Sequence, residues 1–158
     1  HGKDSKAMSK KAVLTVGAVL RGDDAAGPML SKMLEEGPIE GWANIDGGQM
    51  PEDQLAVVRR MQPDVLLLVD AADMSEEPGT IAVLDEDDVA TNMLFTTHSL
   101  PISFLLKELK SCCGSVVFLG IQPAQIEFMS PLTPEVHEAV EKIYGMLKAG
   151  SDFTASIS

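Results

Sequence analysis

The chain reads as an α/β protein, a three-layer sandwich with a mostly parallel, twisted sheet and helices on both faces. Three observations predict this. Short aliphatic runs alternate with stretches of helical spacing from residue 12 to residue 148, the signature of strands joined by crossover helices. Residues 64–70 (DVLLLVD) contain five consecutive aliphatics without polar alternation, which suits a strand covered on both faces. Several of these runs end in a carboxylate or a glycine, so polar groups gather where open α/β sheets bind their ligands, beyond the carboxyl ends of the strands.

Taken in order, residues 12–16 (AVLTV) form the first strand and break at Gly17. The loop that follows delivers Asp23 and Asp24 just ahead of Gly27 and Pro28. Residues 28–36 (PMLSKMLEE) place Met29, Leu30, Met33 and Leu34 on one face of a helix, with Pro28 tolerated in its first turn. Residues 42–46 (WANID) make a short strand running into Gly47 and Gly48. Residues 51–61 form a helix with acidic residues in its first turn and Arg59 and Arg60 in its last, the polarity the helix dipole favours. Beyond the strand at 64–70 come a turn at 76–79, a shorter strand at 80–84 and a solvated acidic run at 85–88 that caps a brief helix. Residues 94–98 are extended or loop, and Ser99 caps a helix to Lys110. A fourth clear strand at 115–122 and a closing helix at 133–148 complete a single domain, residues 12–149. Residues 1–11 are expected to be disordered or an expression remnant ahead of Met8, and residues 150–158 to fray.

A chain of 158 residues can bury a core without disulfides or a structural metal. Its formal charge of −12 weighs against nucleic acid and anionic membranes as partners. The longest purely apolar run, residues 65–69, is far short of the ~20 residues a membrane span needs. Cys112 and Cys113 are neighbours, so a disulfide framework is not expected and a reducing, cytoplasmic setting is.

Chemistry concentrates on three strand or loop ends: Asp24, Asp70 and His98. Two carboxylates and an imidazole form a mixed oxygen and nitrogen donor set suited to a divalent transition metal such as nickel or zinc. Each also has a bland reading: a helix cap for Asp24, a turn carboxylate for Asp70, a hydrogen-bonded histidine for His98. Asp23 reads as a solvated or capping neighbour, and His137 as a surface histidine. The sequence has no H-E-x-x-H helix, no G-x-S-x-G elbow, no C-x-x-C pair and no phosphate-cradling glycine loop.

In register along the chain, GAVLRGDDAAGP, IDGG, VDAADM, TTHSLP and FLGIQP resemble the motifs of the nickel–iron hydrogenase maturation endopeptidases. The resemblance implies removal of a C-terminal extension from the precursor of the hydrogenase large subunit after nickel insertion. The nickel then belongs to the substrate, and no permanently bound cofactor is expected. It also implies that the family's two acidic ligands and its histidine fall on Asp24, Asp70 and His98. The Asp-Gly-Gly turn falls on Asp46, Gly47 and Gly48, where Asp46 would contact substrate or serve as general base. Where the family usually has Gly-Asn in the first loop, this chain has Gly17 and Ala18. A monomeric, cytoplasmic endopeptidase is the reading that results. The alternative is an accessory protein that docks on nickel-loaded precursor without cutting it.

Overall fold

The computed structural model describes residues 10–92 and 101–156. Among the described residues five strands form one sheet: β1 (Lys11–Thr15), β2 (Trp42–Asp46), β3 (Val65–Ala71), β4 (Ile81–Leu84) and β5 (Ser115–Ile121). Their spatial order is β2-β1-β3-β5-β4. The first four in that order pair in parallel, and β4 closes one edge antiparallel to β5, with Ile81 opposite Ile121 and Leu84 opposite Phe118.

The helices are α1 (Ala26–Glu36), α2 (Leu55–Met61), α3 (Glu86–Asn92), α4 (Ile102–Lys110) and α5 (Pro134–Lys148). Single 3-10 turns precede α1 at Gly22–Ala25 and α2 at Pro51–Gln54. Alternation along each strand divides the core into two layers. Val13, Leu67, Val69, Val117 and Leu119 meet Leu30 and Leu34 of α1 and Val136, Val140 and Ile143 of α5. On the other face Ala12, Leu14, Leu66, Leu68 and Phe118 meet Val58 of α2 and Leu105, Leu106 and Leu109 of α4. The expected three-layer sandwich is therefore present. All seven residues of β3 are buried, which is why its sequence carries no alternation. Truncating one of its leucines to alanine would cost ~2–5 kcal/mol.

The acidic run caps α3 as expected: the Asp85 backbone N–H donates to Asp88 and the Asp88 N–H to Asp85, a reciprocal pair. The described part of α4 begins at Ile102 after Pro101; Ser99 and its expected capping role lie outside the described residues. Beyond α5, where fraying was expected, Phe153 is buried against the α1 and α5 layer and a short 3-10 turn at Thr154–Ser156 follows. A hydrogen bond from the Thr154 hydroxyl holds the Asp152 carboxyl below its usual range. Among the described residues no helix is long and apolar enough to cross a membrane.

Candidate active site

The connection from β1 leads to β2 on one side, while β3 lies on the other. This is the point where an open α/β sheet splits its loops apart and leaves a crevice at the carboxyl edge. The first loop leaves β1 in register, with the Val16 N–H bonded to the Val69 carbonyl at 2.9 Å. The Gly17 N–H then turns away to the Gly48 carbonyl, also at 2.9 Å. Gly17 has φ +152°, and a β-carbon there would sit 2.0 Å from the backbone carbonyl oxygen of Asp24. Only glycine lets the 3-10 turn fold back so closely over the strand end.

That fold-back buries Asp24, which is 2% exposed. Its Oδ2 accepts the Ala18 backbone N–H at 2.8 Å, closing the loop on itself. The bond uses the main chain, so an alanine at position 18 makes it as well as an asparagine would. The turn carrying Asp24 packs against β3, whose penultimate residue, Asp70, is fully buried and lies opposite Gly120 of β5. Asp24 and Asp70 thus reach the same edge from adjacent elements. Buried carboxylates are costly unless hydrogen bonds or a cation compensate them, and two of them give an oxygen donor set that favours a divalent cation.

Asp46 ends β2 opposite Thr15, on the same edge. It is exposed, and its Oδ1 accepts the Gly48 N–H at 3.1 Å, so it shapes the Asp-Gly-Gly turn whose carbonyl receives Gly17. His98 lies outside the described residues. Among the described residues no three His, Cys, Asp or Glu side chains form a group able to hold a metal.

A cleft of about 390 Å³ opens beside Asp24, lined also by Ala71, Asp73, Gln122, Pro123, Ala124, Gln125 and Ile126. Two residues that support its walls carried no site role in the sequence expectations. Asp23, expected to be a solvated or capping neighbour, is instead fully buried. Its Oδ2 accepts the N–H groups of Ala124 (2.8 Å) and Gln125 (3.2 Å), and its Oδ1 the N–H of Thr133 (2.7 Å), while the Thr133 hydroxyl adds a further donor. The backbone agrees: the Asp23 N–H donates to the Gln125 carbonyl at 2.8 Å. Asp23 therefore staples the wall of the cleft to the first loop, and its charge sits at the N-terminus of α5, where the helix dipole favours an anion.

Gln122 performs the same service across the cleft. Its Oε1 accepts the N–H groups of Met74 (2.6 Å) and Glu76 (3.2 Å), and its amide donates to Asp73 Oδ1 at 3.2 Å. The G-I-Q-P stretch was the available signal, because a glutamine ending a buried strand has to satisfy both ends of its amide. Elsewhere His137 is exposed beside Glu141 at 3.4 Å, as expected of a surface histidine. Cys112 and Cys113 are free and half-buried.

Fold and site together define an α/β protein with buried carboxylates and a cleft at the switch point of a mostly parallel sheet. The chain belongs to the hydrogenase maturation protease family, whose model (HycI, hydrogenase maturation protease) matches residues 28–149. It is 42% identical to the hydrogenase 3 maturation protease of Escherichia coli K12 over 86% of this chain and 87% of that one. It is also 31% identical to a putative hydrogenase maturation protease of Methanocaldococcus jannaschii, over 90% of this chain and 88% of the relative. Among solved structures, a crystal structure of the hydrogenase 3 maturation protease superposes with a TM-score of 0.84 at 40% identity, covering 90% of this chain and 92% of that one. The solution structure of the Escherichia coli endopeptidase HycI gives 0.81 at 41% identity, covering 89% and 90%. The protein is accordingly an endopeptidase of the hydrogenase maturation type, which sets aside the non-cleaving accessory reading.

Proposed function

We propose that this endopeptidase removes the C-terminal extension of the precursor of a nickel–iron hydrogenase large subunit after nickel insertion, reading the precursor's own nickel as its signal. The observation that carries the proposal is the burial of Asp24 and Asp70 on adjacent elements at the switch point, with the cleft opening beside Asp24. Their oxygens, with the His98 imidazole, form the donor set for the substrate's nickel. The Ala18 N–H holds the Asp24 carboxylate in place, so little of its freedom remains to be lost when substrate arrives.

Peptide hydrolysis needs a water deprotonated as it attacks the scissile carbonyl and a proton delivered to the departing amine. Asp46, exposed on the same edge and fixed by the Gly48 N–H, takes the water's proton and returns it to the amine, an aspartyl-type role. The enzyme works as a monomer in the cytoplasm. The test is to incubate it with nickel-loaded and nickel-free precursor and follow the precursor's mass. Truncation of the loaded form alone supports the proposal, and Asp24→Ala and His98→Ala should abolish it. Truncation of the nickel-free form would remove nickel recognition from the account.

A further inference from the structure

Large apolar side chains exposed to water are distributed unevenly over this molecule. Among the described residues they are Val19, Leu20, Met50, Phe104, Ile126, Phe128 and Met129, and all but Phe104 lie in loops that follow the carboxyl ends of β1, β2 and β5. Leu20 is 55% exposed, Phe128 65% and Met129 67%. The first loop and the loop after β5 are joined: the Met129 N–H donates to the Leu20 carbonyl at 2.6 Å and the Gly22 N–H to the Ser130 carbonyl at 3.1 Å. On the other side of the first loop, Gly17 is bonded to Gly48, two residues from Met50. Leu20 and Met129 are therefore neighbours, and with Val19, Ile126 and Phe128 on the same two joined loops they form a ridge beside the cleft. A contiguous exposed apolar patch on a soluble domain marks a contact surface.

The ridge is built rather than loose. Asp23 ties residues 124, 125 and 133 to the first loop, so the two stretches bearing Leu20 and Phe128 share one anchor. Side chains presented on a preorganised surface lose little freedom on docking. Ile126 belongs both to the ridge and to the cleft wall beside Asp24. A peptide segment that enters this cleft from a folded protein brings the body of that protein against the ridge.

We infer that the ridge of Leu20, Phe128, Met129 and Val19 is the docking surface for the folded body of the precursor, gripping an apolar flank next to its C-terminal extension; this rests on the function proposed above. Arg21 and Glu127 flank the ridge, but its most exposed side chains, Val19, Leu20, Phe128 and Met129, are apolar, so docking proceeds mainly by apolar burial and is only weakly screened by salt. It supplies affinity and leaves the bond-breaking step to the groups beneath it.

The test measures KM, kcat and Kd for nickel-loaded precursor with the double variant Leu20→Ser/Phe128→Ser. Kd is read by fluorescence anisotropy of labelled precursor with each protein carrying Asp46→Asn in addition, so that the bound precursor stays uncut. The side chains are exposed, so the melting temperature should match wild type. KM and Kd should each rise about tenfold or more, with kcat within about twofold and with little salt dependence for wild type. The apolar variant Leu20→Met/Phe128→Leu should restore KM. Unchanged KM and Kd, or a fall in kcat alone, would overturn the docking role, as would ridge-dependent self-association in sedimentation at working concentration, which would assign the surface to a second copy. Failure of wild type to cleave while ridge-dependent Kd persists would sink the proposed function and leave the docking surface standing. Loss of both cleavage and binding in wild type would remove both.

Discussion

Replacing Asp23 by alanine deletes a buried carboxylate that takes hydrogen bonds from the backbone N–H groups of Ala124, Gln125 and Thr133 and from the Thr133 hydroxyl. Each amide left without an acceptor costs ~1–3 kcal/mol, and because these sites are only partly buried, water returns to them and the lower end applies. Three amides then give ~3–4 kcal/mol. In a chain of this size that lowers the melting temperature by about 10 °C. Asp23→Asn is nearly isosteric but keeps one acceptor oxygen, and its amide group must face at least one backbone N–H, so ~1.5–2.5 kcal/mol is expected. Urea and thermal unfolding of both variants measure these values. Because Ala124 and Gln125 line the cleft, both variants should also raise KM for precursor. A loss below about 1 kcal/mol for Asp23→Ala, or an asparagine variant less stable than the alanine one, would refute the staple.

Other expectations follow from the same geometry. Gly17→Ala would drive a β-carbon against the Asp24 carbonyl at an already positive φ, costing ~2 kcal/mol and at least tenfold in processing rate, measured by unfolding and by precursor mass. Gln122→Ala would strand the Met74 and Glu76 amides, costing ~1–2 kcal/mol and loosening the Asp73 side of the cleft, with hydrogen exchange at residues 74 and 76 as the readout. Burial, reinforced by the neighbouring Cys112, pushes the Cys113 thiol up from 9.0 to about 12. At pH 8 its thiolate fraction is then ~10⁻⁴, so alkylation of Cys113 in the native protein should be slow compared with the unfolded chain, as peptide mass spectrometry would show. The folded state holds that proton more tightly than the unfolded one. The contribution is therefore complete below pH 9 and declines as pH rises toward 12, a loss that Cys113→Ser should lessen in unfolding at pH 8 and 10.

Much of the fold was legible because its strands are buried on both faces and say so in composition. The run at residues 65–69 predicted β3, and the carboxylate closing it predicted a group at the sheet's edge, where Asp70 stands. Helix faces were equally plain: Leu30 and Leu34 fell on the buried side of α1. Strand direction was harder. Nothing in residues 80–84 distinguishes an antiparallel edge strand from a parallel one, since both are short aliphatic runs. Asp23 and Asp24 are the clearest case of what local sequence withholds. Two adjacent, identical residues take opposite parts because one faces the cleft and the other faces donors more than a hundred residues away. Only the packing of the loop after β5 onto the first loop separates them. Tertiary contact likewise anchors Phe153, in a segment whose polar, small-residue composition reads as a loose end.

The proposed function requires the switch-point carboxylates to gather with His98 around one divalent ion. A crystal structure of the protein soaked with nickel or cadmium, with anomalous scattering used to place the ion, tests it directly. The expected result is a single site at the mouth of the cleft, with Asp24 and Asp70 oxygens and a His98 nitrogen at ~2.0–2.3 Å in the nickel form. An ion bound elsewhere, or Asp24 and Asp70 too far apart to share one, would contradict it.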